Sequence, residues 1–184
     1  MTEQARIPFI TEREQLSEDQ RHNYDSIVES RGGVRGPFGV LLNSPEVAGR
    51  VGHLGAYIRF EGELPGTVRE LAILTAAREF DCAFEWAAHE PIARDEGVRE
   101  EAIDAVAHRA PVDDLTETEA LVVRYGRELF REHEVADATF RSAEDRFDER
   151  GVVELTATMG YYGMIACMLN AFEVMPSDDS PELP

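Results

Sequence analysis

The run Arg69-Glu70-Leu71-Ala72-Ile73-Leu74-Thr75-Ala76-Ala77-Arg78 and, soon after it, Asp81-Cys82-Ala83-Phe84-Glu85-Trp86-Ala87-Ala88-His89 decide the fold. The first run, entered at Pro65, is apolar or small on several sides, which predicts a central, heavily buried helix. The second predicts a helix from Cys82 with Asp81 as its cap. At about 100° per residue, Cys82, Glu85 and His89 then fall within roughly a 60° arc of one face. A thiol, a carboxylate and an imidazole on one strip can exchange protons near neutral pH, and Glu70 faces them across a short turn. Pro91 predicts a kink or break just beyond His89, and Gly97 ends the element.

Outward from this hairpin the pattern stays helical. Ser17-Glu18-Asp19-Gln20 reads as the start of a helix running to Gly32-Gly33. The glycine-rich segment from Gly32 to Ser44 reads as irregular, an apolar loop folded against the core through Phe38, Val40, Leu41 and Leu42. Ser44-Pro45 opens a helix whose apolar residues Val47, Val51, Leu54 and Ile58 recur at spacings of three and four. A short helix is expected from Glu100 to His108. Thr116-Glu117-Thr118-Glu119 is a capping box opening a long helix, and further helices are expected at Asp137 to Phe147 and Gly151 to Phe172. The last is apolar nearly all round, with Gly160 and Gly163 allowing close backbone approach, which predicts burial against another subunit as well as the core. No strand-length alternation occurs, so the expected class is all-α.

Composition bounds the function. The 184 residues, 43% of them hydrophobic, suffice for one core. A net charge of -19 disfavours nucleic-acid backbones and anionic membrane surfaces. All 18 basic residues are arginine, which removes every lysine-dependent mechanism, Schiff bases and the P-loop included. The residues from Met1 to Pro8 lack the basic start and apolar core of a signal peptide, and two cysteines make no disulfide framework, so the expectation is a soluble, cytoplasmic protein. The acidic tail from Ser177 to Glu182 reads as a frayed terminus.

Taken together, Glu70 in its Arg-Glu-Leu-Ala-Ile-Leu-Thr-Ala-Ala-Arg setting, Cys82-x-x-Glu85-Trp86-x-x-His89, Ala93 and Gly97 resemble the carboxymuconolactone decarboxylase-like superfamily, which includes the alkylhydroperoxidase D proteins. Gly36-Pro37-Phe38-Gly39, Asn43-Ser44-Pro45 and the late Glu154-Leu155, Gly160-Tyr161-Tyr162 and Leu169-Asn170-x-Phe172 extend the resemblance over residues 35–174. That frames residues 1–34 as an N-terminal extension with one helix, 35–174 as the domain and 175–184 as a tail. The resemblance implies a single-domain helical bundle of the alkylhydroperoxidase D-like type that assembles into trimers or hexamers, and a small-molecule substrate.

The peroxidase branch is known for a Glu, a Cys-x-x-Cys pair and a His. Glu70, Cys82 and His89 match, while Glu85 replaces the second cysteine and cannot resolve a sulfenic acid into a disulfide. Cys167, in an apolar helix, reads as a buried structural thiol. The decarboxylase branch shares Glu-Trp-x-x-His and works on a small carboxylate-bearing lactone without metal or organic cofactor. The reading is therefore a cofactor-free acid/base enzyme acting on a small lactone- or carboxylate-type metabolite. His89 is its main proton carrier, Glu85 and Glu70 are the partners, Cys82 lines the pocket, and Arg78 and Arg94 attract a substrate anion. Two alternatives stand beside it, a thiol-dependent peroxidase using Cys82 and a non-catalytic oligomeric ligand-binding protein. Glu70 reads either as a raised-pKa acid at the site or as a structural partner for an arginine such as Arg69 or Arg78 elsewhere in the expected trimer. Glu85 and His89, with Glu70 or His53, have metal-ligand spacing, a reading set aside because the resembling families use no metal. Trp86 and Phe84 read as core or interface residues, and His22, His108 and His133 as solvated.

Overall fold

A computed structural model of the chain describes residues 5–184 and shows helices with no strand among them. The leader-free reading of the N-terminus, so far as it rests on residues 1–4, lies outside the described residues. The helices are α1 (Arg21–Arg31), α2 (Pro37–Leu41), α3 (Pro45–Ala56), α4 (Gly66–Glu79), α5 (Ala83–Asp95), α6 (Glu100–Ala107), α7 (Glu117–Arg131) and α8 (Asp137–Phe172). Two compact units divide them: the chain up to Gly62 with Met168–Met175, and Glu63–Cys167 with Pro176–Pro184.

In the first unit α1 and α2 pack on α3, which begins with Pro45 at its first position, where the missing N–H costs nothing. α3 runs on into a wider π-type turn at Tyr57–Glu61. The segment from Gly32 to Ser44 is more regular than expected. Pro37 starts the short helix α2, and Phe38, Val40, Leu41 and Leu42 are buried as predicted. A Cβ on Gly39 would sit 2.2 Å from the Phe9 ring, so only glycine lets the N-terminal strap close there, where Ile10 N–H donates to the Gly39 carbonyl at 2.9 Å. α1 starts at Arg21, after a single 3-10 turn at Glu18–Gln20.

The second unit is built round α4, which packs against α5, α6 and α7. As its composition predicts, α4 is buried on every side: Leu71, Ala72, Ile73, Leu74, Ala76 and Ala77 are each at most 1% exposed. The capping box of α7 forms as read, with Glu119 N–H donating to Thr116 Oγ1 at 3.3 Å and Thr116 N–H donating to Glu119 Oε2 at 3.0 Å. α8 is two helices joined at Asp148, whose φ of 59° breaks the ladder, and Asp148 Oδ1 then accepts from Gly151 N–H at 2.9 Å to restart it. This places the break where the sequence leaves a gap. By length and composition α8 could cross a membrane, but 61% of its apolar window is buried inside the chain, the pattern of a core helix.

Three expectations are corrected in this unit. Pro91 neither breaks nor ends α5, which continues to Asp95 with the proline on its exposed face. Asp81 is not the cap of α5: it holds a φ of 47° in the turn, and Cys82 is the N-cap. The C-terminal tail is not frayed, since Ser180 N–H donates to the Ser177 carbonyl at 3.0 Å and Leu183 packs against the core.

Close packing gives one stability test. A Cβ at Gly126 would lie 2.6 Å from Thr75 Cγ2 and 3.1 Å from Met159 Cε, with both neighbours fully buried. Gly126→Ala is expected to cost about 1–3 kcal/mol through overpacking, read as a lowered urea midpoint with an unchanged slope.

Candidate active site

The α4–α5 turn sets the site. Cys82 N–H donates to the Ala77 carbonyl at 2.8 Å, and Asp81 is held by Arg78 at 3.2 Å and by Arg109 at 2.8 Å. With the chain reversed in so few residues, Glu70 on α4 meets His89 on α5. His89 Nδ1 lies 2.7 Å from Glu70 Oε2, and His89 Nε2 lies 3.5 Å from Glu85 Oε2. All three side chains are at most 5% exposed. One imidazole thus stands between two buried carboxylates, one in tight hydrogen-bond contact and one just beyond it.

The cluster continues outward. Arg69 Nε donates to Glu70 Oε1 at 3.2 Å, and Arg69 also pairs at 3.3 Å with the half-exposed Glu96. Glu96, Arg69, Glu70, His89 and Glu85 form a connected chain of polar side chains from surface to interior. Burial alone acts to raise the Glu70 pKa, but the hydrogen bond and charge of His89, joined by those of Arg69, outweigh it and hold the carboxyl below its ordinary value. This direction runs against the reading of Glu70 as a raised-pKa acid, and the arginine that pairs with it is Arg69 of the same chain. His89 is buried in the core, with the Glu70 carboxylate as its hydrogen-bond partner.

Tyr162 completes the wall: its ring meets the His89 imidazole edge-on at 5.0 Å and 82°, and Tyr161 packs on it in turn at 5.2 Å. Its signal in the sequence was the Gly160-Tyr161-Tyr162 motif, which gave family likeness without a role. Trp86 is buried in the core as read, while Phe84 is half-exposed.

Cys82 is fully buried at the N-cap of α5. Burial pushes its thiol up to about 11, and the backbone N–H bonds from Glu85 and Phe84 offset only part of this while the Glu85 charge adds to it. Cys167 is exposed, which corrects the reading of it as a buried thiol. An apolar helix shows from its composition neither which face turns outward nor that Val153, Gly160 and Cys167 lie on it. Alkylation at pH 7.5 should therefore label native Cys167 and reach Cys82 only after unfolding, since burial shields the Cys82 thiol and disfavours its thiolate. Peptide mass spectrometry reads the order, and fast native labelling of Cys82 would contradict it.

The two candidate anion-binding arginines are engaged elsewhere. Arg94 pairs with Glu90 and Glu100 on an outer face, and Arg78 pairs with Asp81, its Nε buried with no hydrogen-bond partner among the described residues. The guanidinium bonded to the cluster is that of Arg69. His53, His22, His108 and His133 are exposed, and among the described residues no group of three His, Cys, Asp or Glu side chains is arranged to hold a metal ion.

Residues 45–127, which contain Glu70, Cys82, Glu85 and His89, match the model of the carboxymuconolactone decarboxylase family. Over that segment the chain is similar to the carboxymuconolactone decarboxylase family. Solved structures agree on an alkylhydroperoxidase D-like fold. The alkylhydroperoxidase AhpD core of a peroxidase-related protein from Ralstonia eutropha JMP134 superposes with a TM-score of 0.76 at 21% identity, covering 95% of this chain and 93% of that one. A peroxidase-related protein from Silicibacter sp. TM1040 gives 0.75 at 15% identity, covering 97% and 94%. The debrominase Bmp8 bound to 2,3,4-tribromopyrrole gives 0.68 at 11% identity, covering 94% and 92%. No curated protein matches the chain in sequence.

Proposed function

We propose that this protein is a cofactor-free acid/base enzyme of the carboxymuconolactone decarboxylase family acting on a small lactone- or carboxylate-type metabolite, with His89 as the group that moves the proton. The observation that carries this reading is the imidazole held 2.7 Å from Glu70 and 3.5 Å from Glu85 inside the chain. Glu70, kept ionised, accepts from Nδ1–H, fixes the tautomer and stabilises the imidazolium when it forms. Nε2 is then the atom that takes or returns a proton, with Glu85 as the neighbouring exchange partner. Tyr162 limits rotation of the ring, and Cys82 serves as a neutral wall. Assembly of the chain with copies of itself, a small-molecule substrate and an intracellular location belong to the same proposal.

The peroxidase reading draws on two observations, the backbone N–H bonds to the Cys82 sulfur and the peroxidase-related proteins that share the fold. Against it stand full burial and a thiol pKa of about 11. One experiment separates the two. The intact protein is assayed against a panel of γ-lactones, unsaturated and oxo carboxylates, and against hydrogen peroxide and organic hydroperoxides with an external thiol. Turnover of a panel member that survives Cys82→Ser supports the acid/base reading. Peroxide reduction lost in Cys82→Ser would replace it with the thiol reading.

A further inference from the structure

We propose that a cavity in the unit built round α4, sharing no residue with the His89 cluster, binds a small carboxylate with an apolar body. It has a volume of about 520 Å3, within the range of small-molecule pockets. Its apolar lining comes from Val68 and Leu71 of α4, Val122 of α7 and Phe147 at the end of the first half of α8. The first three are at most 5% exposed and anchored in the core, so the floor is pre-formed.

The charges facing it run against the rest of the chain. Acidic residues outnumber arginines by 37 to 18 overall, yet the cavity is lined by two guanidiniums, Arg99 and Arg146, and one carboxylate, Glu119. Glu119 Oε2 is spent in the α7 cap, accepting from both the N–H and the hydroxyl of Thr116 at 3.0 and 2.7 Å. Arg99 stands in two loose ion pairs through Nε, 3.4 Å from Glu101 and 3.7 Å from Glu119. Arg146 Nε donates to the neutral hydroxyl of Thr118 at 3.0 Å, and among the described residues no ion pair joins it to a carboxylate. A guanidinium whose neighbour is a hydroxyl over an apolar floor is a receptor for one carboxylate head. The apolar lining selects an aryl or short alkyl body over a sugar.

Calorimetric titration of the intact protein with 3-phenylpropionate tests this, with 3-phenylpropionamide as the neutral isostere. The carboxylate should bind at least about tenfold tighter than the amide, and the Arg99→Gln/Arg146→Gln double variant should erase that preference while circular dichroism stays native. Thr67→Phe, which fills the cavity from its exposed rim, should abolish binding of both probes. Backbone amide shifts should map the carboxylate to the start of α7 and the Gly97–Arg99 turn. No binding up to about 10 mM, equal affinity for acid and amide, an unchanged preference in the double variant, or shifts centred on His89 would each overturn the proposal.

Discussion

Glu70→Ala is expected to lower the unfolding free energy by about 3–5 kcal/mol, because it leaves the buried His89 imidazole and the Arg69 guanidinium without their shared acceptor. For a chain of this length that is a fall of roughly 6–20 °C in melting temperature. Glu70→Gln keeps the volume and an acceptor oxygen and should cost less, about 1–3 kcal/mol. The pH dependence distinguishes the charge from the packing. Because the Glu70 pKa in the folded state lies below its unfolded value, its contribution is fully present above about pH 4.3 and disappears as pH falls through the folded value. Wild type should therefore lose stability in acid more steeply than Glu70→Gln, with urea unfolding at a series of pH values as the measurement. Replacing both Glu70 and His89 by Leu should recover much of the loss, since a buried ion pair seldom outdoes well-packed apolar residues. That recovery would leave chemistry as the reason for keeping the pair.

His89→Gln is expected to reduce turnover of any panel substrate by about 10²–10⁴-fold, the usual contribution of a positioned acid or base, with secondary structure unchanged by circular dichroism. Glu85→Gln should lower the rate less, because Glu85 lies 3.5 Å from Nε2 and assists the proton without orienting the ring. Tyr162→Leu should leave the chemistry in place and act through the imidazole, showing a shifted pH–rate profile and a smaller fall in kcat. Full activity of His89→Gln would remove His89 from the mechanism.

Much of the fold was legible because its signals are local. The capping box at Thr116 and Glu119, proline at the first turn of α3, and the gap between Phe147 and Gly151 each determine a helix end within a few residues. What the sequence concealed depends on partners far along the chain. Helix α2 forms among glycines because Phe38, Val40 and Leu41 are buried there. Asp81 looked like a cap by type, yet two arginines hold it in a left-handed turn and pass the cap to Cys82.

The site shows the same division. Glu85 and His89 could be placed on one strip by periodicity, and Glu70 by its odd position in an apolar run. Their real connection, Nδ1 to Glu70 and Nε2 toward Glu85, follows from the way α4 and α5 pack. Arg69 is one of two possible partners by sequence, and it proves to be the guanidinium bonded to Glu70, adding to the effect of His89 in holding the carboxyl below its ordinary value, while reaching Glu96 at the surface. The contact of Tyr162 with His89 joins residues far apart in sequence and had no local signal beyond the motif itself.

The central claim is that Glu70 is the ionised acceptor and His89 Nδ1 the donor, leaving Nε2 to carry the transferable proton. Nitrogen-15-edited NMR of the imidazole, assigned by its loss in His89→Gln, locates that proton directly. The account predicts a proton bound to Nδ1, hydrogen-bonded to Glu70, with Nε2 the nitrogen that exchanges its proton. A bare Nδ1 accepting from a protonated Glu70 would contradict it.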